Sequence, residues 1–278
     1  MPFSRIYLEI TNCCNLACSF CPGTKRTPAC LSVEQFTQLA GALQGHTRFL
    51  YFHVLGEPLL HPELPALLKI AGDLGFRVVL TSNGTLLPRV QAALLASPAL
   101  HKVSLSLHSF EANDGVDMAA YLDGCTAFGR AAAARGILLD YRLWNLDGAE
   151  TTGLHTQNGR ILAHLHAAYP DPWVKNTWGW RLADRTFIHY GEKFDWPSPD
   201  APIRRTHGRC RAMRDQLAVL CDGTVVPCCL DGEGRIPLGN LFSQPLEELL
   251  RSPAALTLQQ SFCRQAPLHP LCQRCTFR

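Results

Sequence analysis

Five strand-like segments, each followed by a helix-like one, fill the first 170 residues and leave few folds open. YLEIT (7–11) precedes SVEQFTQLAGALQ, RFLYFHVL (48–55) precedes PELPALLKIAGDLG, and FRVVLTSN (76–83) precedes LLPRVQAALLA. KVSLSLHS (102–109) precedes VDMAAYLDGCTAFGRAAAARG, and ILLDYRLWN (137–145) precedes NGRILAHLHAAY. RTFIHY (185–190) supplies a sixth strand. Alternation of this kind predicts an α/β fold with a parallel sheet and right-handed crossovers, open or closed into a barrel.

Side chains on a strand alternate between its two faces. One face of these strands collects Tyr7, Glu9 and Thr11, then Tyr51 and His53, Thr81 and Asn83, Ser104, Ser106 and His108, and Asp140, Arg142 and Trp144. The opposite face is apolar, with Ile6, Leu8, Ile10, Val78, Leu80, Val103, Leu105 and Leu107. A sheet that is greasy outside and polar inside predicts a curved, barrel-like sheet enclosing a ligand. The plainer expectation is that these polar groups satisfy one another.

The N-terminus lacks the pattern of a signal peptide, and no window approaches the roughly 18 to 20 apolar residues of a membrane span, so a cytoplasmic chain without membrane contact is expected. A net charge of +3 from scattered Lys and Arg gives no support for a nucleic-acid partner. The outlying number is 13 cysteines, which in a reducing compartment points to metal or redox chemistry. Cys14, Cys18 and Cys21 are spaced C-x3-C-x2-C directly after the first strand, where parallel α/β folds place their chemistry. Three thiolates can hold three corners of a four-iron cluster and leave the fourth iron open; zinc is the alternative, because Cys18 and Cys21 alone make a zinc half-site. A second set, Cys210, Cys228, Cys272 and Cys275, suits either zinc or a fully ligated four-iron cluster.

CCNLACSFC, with Phe20 before its last cysteine, resembles the C-x3-C-x-(aromatic)-C signature of the radical S-adenosylmethionine (SAM) superfamily. That resemblance implies a partial (β/α)6 TIM-like barrel whose Cys14, Cys18 and Cys21 hold a [4Fe-4S] cluster. The amino and carboxylate groups of SAM chelate the open iron, and reductive cleavage yields methionine and a 5'-deoxyadenosyl radical that abstracts a substrate hydrogen atom. LGEP resembles the family's GGE-like motif, with Leu55 replacing the first glycine, and would bring Gly56, Glu57 and Pro58 to the SAM amino group. Thr81 and Asn83 of TSNG and Ser104 and Ser106 of SLS stand where relatives contact the ribose and carboxylate.

CRAMRDQLAVLCDGTVVPC, IPLGNL and LCQRC resemble the shortened SPASM domain called Twitch. The implication is a small C-terminal cysteine-rich domain, a β-hairpin turned at Asp222-Gly223 plus a helix, holding an auxiliary [4Fe-4S] cluster. Cys13, Cys30, Cys221 and Cys263 stand outside both ligand sets, while Cys229, beside Cys228, could substitute for it. The expected domains are residues 1–200 and 201–278. Arg142, Asp140 and His108 are the candidates for orienting substrate or taking a proton. The substrate would be a small molecule or a peptide, and the electron donor a flavodoxin or ferredoxin. With the substrate radical passing its electron to the auxiliary cluster, the expected reaction is a net oxidation or oxidative bond formation by a dehydrogenase-like oxidoreductase. Maturation of ribosomally made peptides, modification of tRNA or another macromolecule, a two-cluster electron carrier and a zinc-structured binding module are the competing expectations.

Overall fold

The structure, a computed structural model, describes residues 3–146, 156–193 and 195–277. Two compact units divide them. One draws on Met1–Cys14, Pro22–Val78 and Phe194–Arg278, the other on Asn15–Cys21 and Val79–Lys193.

The first unit opens with β1 (Arg5–Leu8), α1 (Val33–Ala42), β2 (Phe49–Tyr51) and α2 (Leu64–Asp73); the division between units falls within β3 (Arg77–Ser82). Helix α1 starts at a capping box: Gln35 N donates to the Ser32 hydroxyl, and Ser32 N donates to the Gln35 side chain. The second unit continues with α3 (Leu87–Ala96), β4 (Leu100–Ser106), α4 (Met118–Ala134), β5 (Leu138–Leu146) and α5 (Thr156–Ala168). A hairpin of β6 (Val174–Asn176) and β7 (Gly179–Ala183) follows, and then β8 (Thr186–Glu192). The chain returns to the first unit for β9 (Gln216–Val219), β10 (Thr224–Val226), β11 (Gly239–Asn240), α6 (Leu246–Arg251), α7 (Pro253–Cys263) and α8 (Pro270–Gln273).

Strand order in the first unit is β11-β10-β9-β1-β2, and in the second it runs β3-β4-β5-β8-β7-β6. Strands β1 and β2, β4 and β5, and β5 and β8 pair in parallel, as strand–helix alternation requires. Ile6, Leu8 and Ile10 of the first unit and Val103, Leu105, Leu139 and Tyr141 of the second are buried under the helices.

Three features differ from the sequence expectation. Strand β2 keeps three of the eight residues of RFLYFHVL, because the chain then turns so that Leu55 N reaches the Glu9 carboxylate at 3.3 Å. Residues 174–183, where no strand was expected, form a hairpin whose strands are three and five residues long and which exposes Val174 and, at its turn, Trp178. The C-terminal hairpin turns at Asp222-Gly223 as expected, with Gly223 at φ +83°, but β9 also pairs in parallel with β1 from Arg5↔Gln216 to Leu8↔Val219.

Candidate functional site

The cysteine loop after β1 is held at its start by the first unit. Cys13 N donates to Thr11 Oγ1 (3.1 Å), Ala29 N to Asn12 Oδ1 (2.8 Å), and Glu57 N to the Cys13 carbonyl (2.7 Å). Gly56 approaches so closely that a β-carbon there would lie 2.5 Å from the Thr11 carbonyl oxygen and 2.8 Å from the Asn12 carbonyl carbon. Its φ of +77° independently favours glycine. LGEP is therefore built against the backbone of the cysteine loop, and Gly56→Ala forces that backbone apart. We expect this substitution to cost at least about 1–2 kcal/mol from the dihedral alone, read from the denaturant midpoint of the loaded protein; an unchanged midpoint would contradict the packing. Glu57 is buried, and its Oε1 accepts from Leu59 N at 3.0 Å, capping the short turn Pro58–Leu60.

Glu9, fully buried at the end of β1, is a hub that the sequence did not reveal. Its Oε1 meets Arg26 Nη2 at 2.7 Å as well as Leu55 N, and its Oε2 accepts from Cys221 N at 3.1 Å. A buried carboxylate persists only when so compensated. It fastens the segment after the cysteine loop, the LGEP turn and the C-terminal hairpin to one atom pair.

The second unit holds the remainder of the loop. Asn83 Nδ2 donates to Asn15 Oδ1 (3.0 Å), Asn15 Nδ2 donates to Thr85 Oγ1 (2.9 Å), and Asn83 Oδ1 accepts from Thr85 N (3.0 Å). The Ser19 amide and hydroxyl both donate to Glu111 Oε1, at 2.9 and 2.6 Å. Cys18 Sγ lies 3.9 Å from the Ser109 carbonyl, and the Phe20 ring packs on His108 at 4.6 Å between centroids. The aromatic residue of the cysteine motif thus rests on a residue that the strand faces had singled out. Burial pushes the His108 imidazole down to about 4, so it is neutral at pH 7. Its Nδ1 lies 2.9 Å from the Arg142 carbonyl and 3.4 Å from Trp144 N, so the ring is held against the backbone of β5.

Beside His108, the Arg142 guanidinium lies over the Trp144 ring at 3.6 Å. Asp140 is buried with Oδ1 2.6 Å from His189 Nδ1, while Oδ2 is 2.9 Å from Lys102 Nζ and accepts from Ser104 Oγ at 3.3 Å. Burial alone pushes this carboxyl up; the hydrogen bond from His189 and the Lys102 charge outweigh it and hold Asp140 below the ordinary carboxylate range. Arg142 is paired in register with both Ser106 and His189, so these groups share one face. Lys102 and His189 were missed, although the same period of two reaches both. Thr81 and Ser106 are half-buried on β3 and β4; the Ser106 carbonyl accepts from Ser109 Oγ at 2.6 Å.

In the C-terminal part of the first unit, Cys210, Cys228, Cys272 and Cys275 line one cavity, walled by Pro197, Pro227, Leu230 and Leu271. Burial pushes the Cys272 thiol up to about 12, reinforced by Cys210 and Cys275. Cys228 is raised by burial and then by Cys229, Cys210 and Cys272. Four thiols converge on this wall, with the Arg205 cation beside them, which is the donor set that a cationic metal–sulfur core balances; the residues present fit such a group. They line a cavity rather than meeting at a point, and no group of three or more His, Cys, Asp or Glu among the described residues gathers around a single ion. Cys229 is not part of the cavity wall: it is hydrogen-bonded to the Tyr7 hydroxyl and packs against Tyr7, Val54 and Leu55.

Residues 8–149, just over half of the chain, match the radical SAM superfamily. The chain belongs to the radical SAM superfamily. Residues 210–276 match SPASM, an iron-sulfur cluster-binding domain. This radical SAM enzyme therefore takes a [4Fe-4S] cluster and SAM, together with auxiliary iron-sulfur chemistry in its C-terminal part, and the zinc expectation falls away. GTP 3',8-cyclase of Synechococcus sp. (strain CC9902) is 33% identical over 168 residues, covering 58% of this chain and 46% of that protein. AdoMet-dependent heme synthase of Oleidesulfovibrio alaskensis is 29% identical over 102 residues, covering 36% of this chain and 26% of that protein. The chain thus spans about half or less of these curated relatives. The crystal structure of BtrN in complex with AdoMet and 2-DOIA has the same fold, with a TM-score of 0.62 at 16% identity, covering 99% of this chain and 93% of that one. Streptococcus suis SuiB bound to precursor peptide SuiA shares it too, with a TM-score of 0.63 at 13% identity over 99% and 71% of the two chains. These likenesses establish a mixed α/β radical SAM fold followed by small SPASM-like strands and helices. No helix among the described residues is long and apolar enough to cross a membrane.

Proposed function

We propose that this radical SAM enzyme is an oxidoreductase that acts in the cytoplasm on a small alcohol or amine, such as a sugar or cyclitol, at a carbon bearing oxygen or nitrogen. Residues 1–200 form the radical SAM barrel and 201–278 a Twitch-type auxiliary domain. Cys14, Cys18 and Cys21 hold the open cluster, with Phe20, Gly56, Glu57, Pro58, Thr81, Asn83, Ser104 and Ser106 on its SAM side. Cys210, Cys228, Cys272 and Cys275 hold the auxiliary cluster. When bound, these groups supply a 5'-deoxyadenosyl radical and an electron acceptor, the chemistry of a net oxidation.

The observation that carries the reading is the ionised Asp140 buried between Lys102 and His189. Converting a carbon–oxygen single bond to a carbonyl releases a proton, and that proton needs an acceptor. Asp140 orients His189 through the 2.6 Å contact with its Nδ1, and in this reading the His189 imidazole takes the proton of the substrate hydroxyl. Arg142, paired in register with His189, orients the substrate oxygen, and neutral His108 fixes the Arg142 backbone. The cysteine order resembles that of 2-deoxy-scyllo-inosamine dehydrogenase, and the fold shared with BtrN bound to AdoMet and 2-DOIA supports the same reading.

The test is label transfer. With iron-loaded protein, dithionite and SAM, deuterated cyclitols and amino-sugars should place deuterium in 5'-deoxyadenosine, and Asp140→Asn should lower oxidised product per 5'-deoxyadenosine by about 10²–10⁴-fold. Label arriving from a peptide or an RNA, and from no small alcohol, would sink the proposal in favour of a peptide maturase or an RNA-modifying enzyme.

A further inference from the structure

We infer that the exposed face around residues 203–209 and 264–277 docks an acidic one-electron carrier protein of the flavodoxin or ferredoxin class. The inference rests on the proposed reading in one respect, that Cys210, Cys228, Cys272 and Cys275 are the auxiliary ligands.

Charge is concentrated here. Residues 203–209 and 264–277 contain five arginines and no acidic residue, with Asp195 pairing one of them, Arg204, at 3.7 Å, whereas the whole chain is nearly balanced at 26 Lys and Arg against 23 Asp and Glu. The two segments lie side by side: Arg204 N and Arg205 N donate to the Gln273 carbonyl at 2.9 and 3.0 Å, Gly208 N to the Gln265 carbonyl at 2.8 Å, and Arg274 Nε to the Ala201 carbonyl at 2.7 Å. The basic run is thereby laid along the residues that carry Cys272 and Cys275, and Arg205 itself lines the cavity of the four thiols.

Apolar exposure is concentrated here as well. Ile203 (55% exposed), Leu268 (60%) and Phe277 (42%) are three of the seven exposed large hydrophobic side chains among the described residues. Phe277 adjoins the ligand set, its carbonyl 3.7 Å from Cys275 Sγ. Exposed apolar side chains among positive charges are the anatomy of a transient protein interface, whose rim steers an oppositely charged partner and whose centre excludes water. Phosphate contacts would use the arginines but give no work to Ile203 and Leu268, which favours an acidic protein over a nucleic acid. The four thiols at the edge of the face make the partner one that exchanges electrons.

Iron-loaded full-length protein, titrated calorimetrically with flavodoxin and separately with a plant-type ferredoxin, provides the test. We expect binding that weakens as salt rises, and that weakens at least about tenfold in the triple variant Arg204→Glu, Arg209→Glu, Arg264→Glu and in the double variant Ile203→Ser, Leu268→Ser. Bound iron and dithionite-driven SAM cleavage, which need no carrier, should match the unaltered protein in both variants. Equal affinity of all three proteins for both carriers would overturn the inference, as would binding of tRNA or an acidic peptide at this face with neither carrier bound. Absence of SAM cleavage by the unaltered protein with dithionite would sink the proposed function alone, because carrier affinity is read without turnover.

Discussion

Replacing Cys14, Cys18 or Cys21 by alanine is expected to bring 5'-deoxyadenosine formation down to the protein-free background. A cluster that must offer one open iron to SAM has only three protein ligands, and removing one leaves no spare. The neighbouring thiols have partners of their own: Cys13 Sγ faces Asn12 Oδ1 at 3.8 Å, and the Cys30 thiol donates to Thr11 Oγ1 at 3.0 Å. Cys14 and Cys21 are exposed, so their loss creates no cavity and should leave the unfolding midpoint within about 0.5 kcal/mol of the unaltered protein, compared without metal. Bound iron should fall from about eight to about four atoms per chain, since the auxiliary ligands are untouched. Cleavage that survives all three substitutions would rule the trio out.

Cys272→Ala is expected to do the reverse. The front motif is intact, so SAM cleavage continues, iron again falls to about four atoms, and formation of oxidised product stops. Cys229→Ala is the matched control. Its thiol stands outside the cavity and is bonded to Tyr7, so full iron and turnover should persist. Retained iron in Cys272→Ala together with lost iron in Cys229→Ala would transfer the ligand role to Cys229.

Much of this fold was legible because its signals are local. Period-two alternation located the strands and their polar face, Asp222-Gly223 located the hairpin, and cysteine spacing singled out four thiols that line one cavity. The pairing of β9 with β1 was not legible, since a short apolar strand carries no mark of the neighbour it will choose. The β6–β7 hairpin was missed because its strands are only three and five residues long and bury a single large apolar side chain, Leu182.

The supports of the site were the least legible part. Glu9 finds Arg26, Leu55 and Cys221 across 17, 46 and 212 positions, and Ser19 finds Glu111 across 92. No periodicity joins such pairs. Asp140 stood among the candidates for orienting substrate or taking a proton, but its partners Lys102 and His189, 38 and 49 positions away, carried no mark of that pairing. Glu9, Ser104 and Asp140 satisfy neighbours, the plainer of the two expectations drawn from the polar face.

Electron paramagnetic resonance of the dithionite-reduced Cys272→Ala variant, recorded with and without SAM, examines the front cluster in isolation. If Cys14, Cys18 and Cys21 leave one iron for SAM to chelate, the signal of that reduced cluster shifts its g values when SAM is added. An identical spectrum in both samples, or a front motif that retains zinc and no iron, would show that SAM has no metal to bind here.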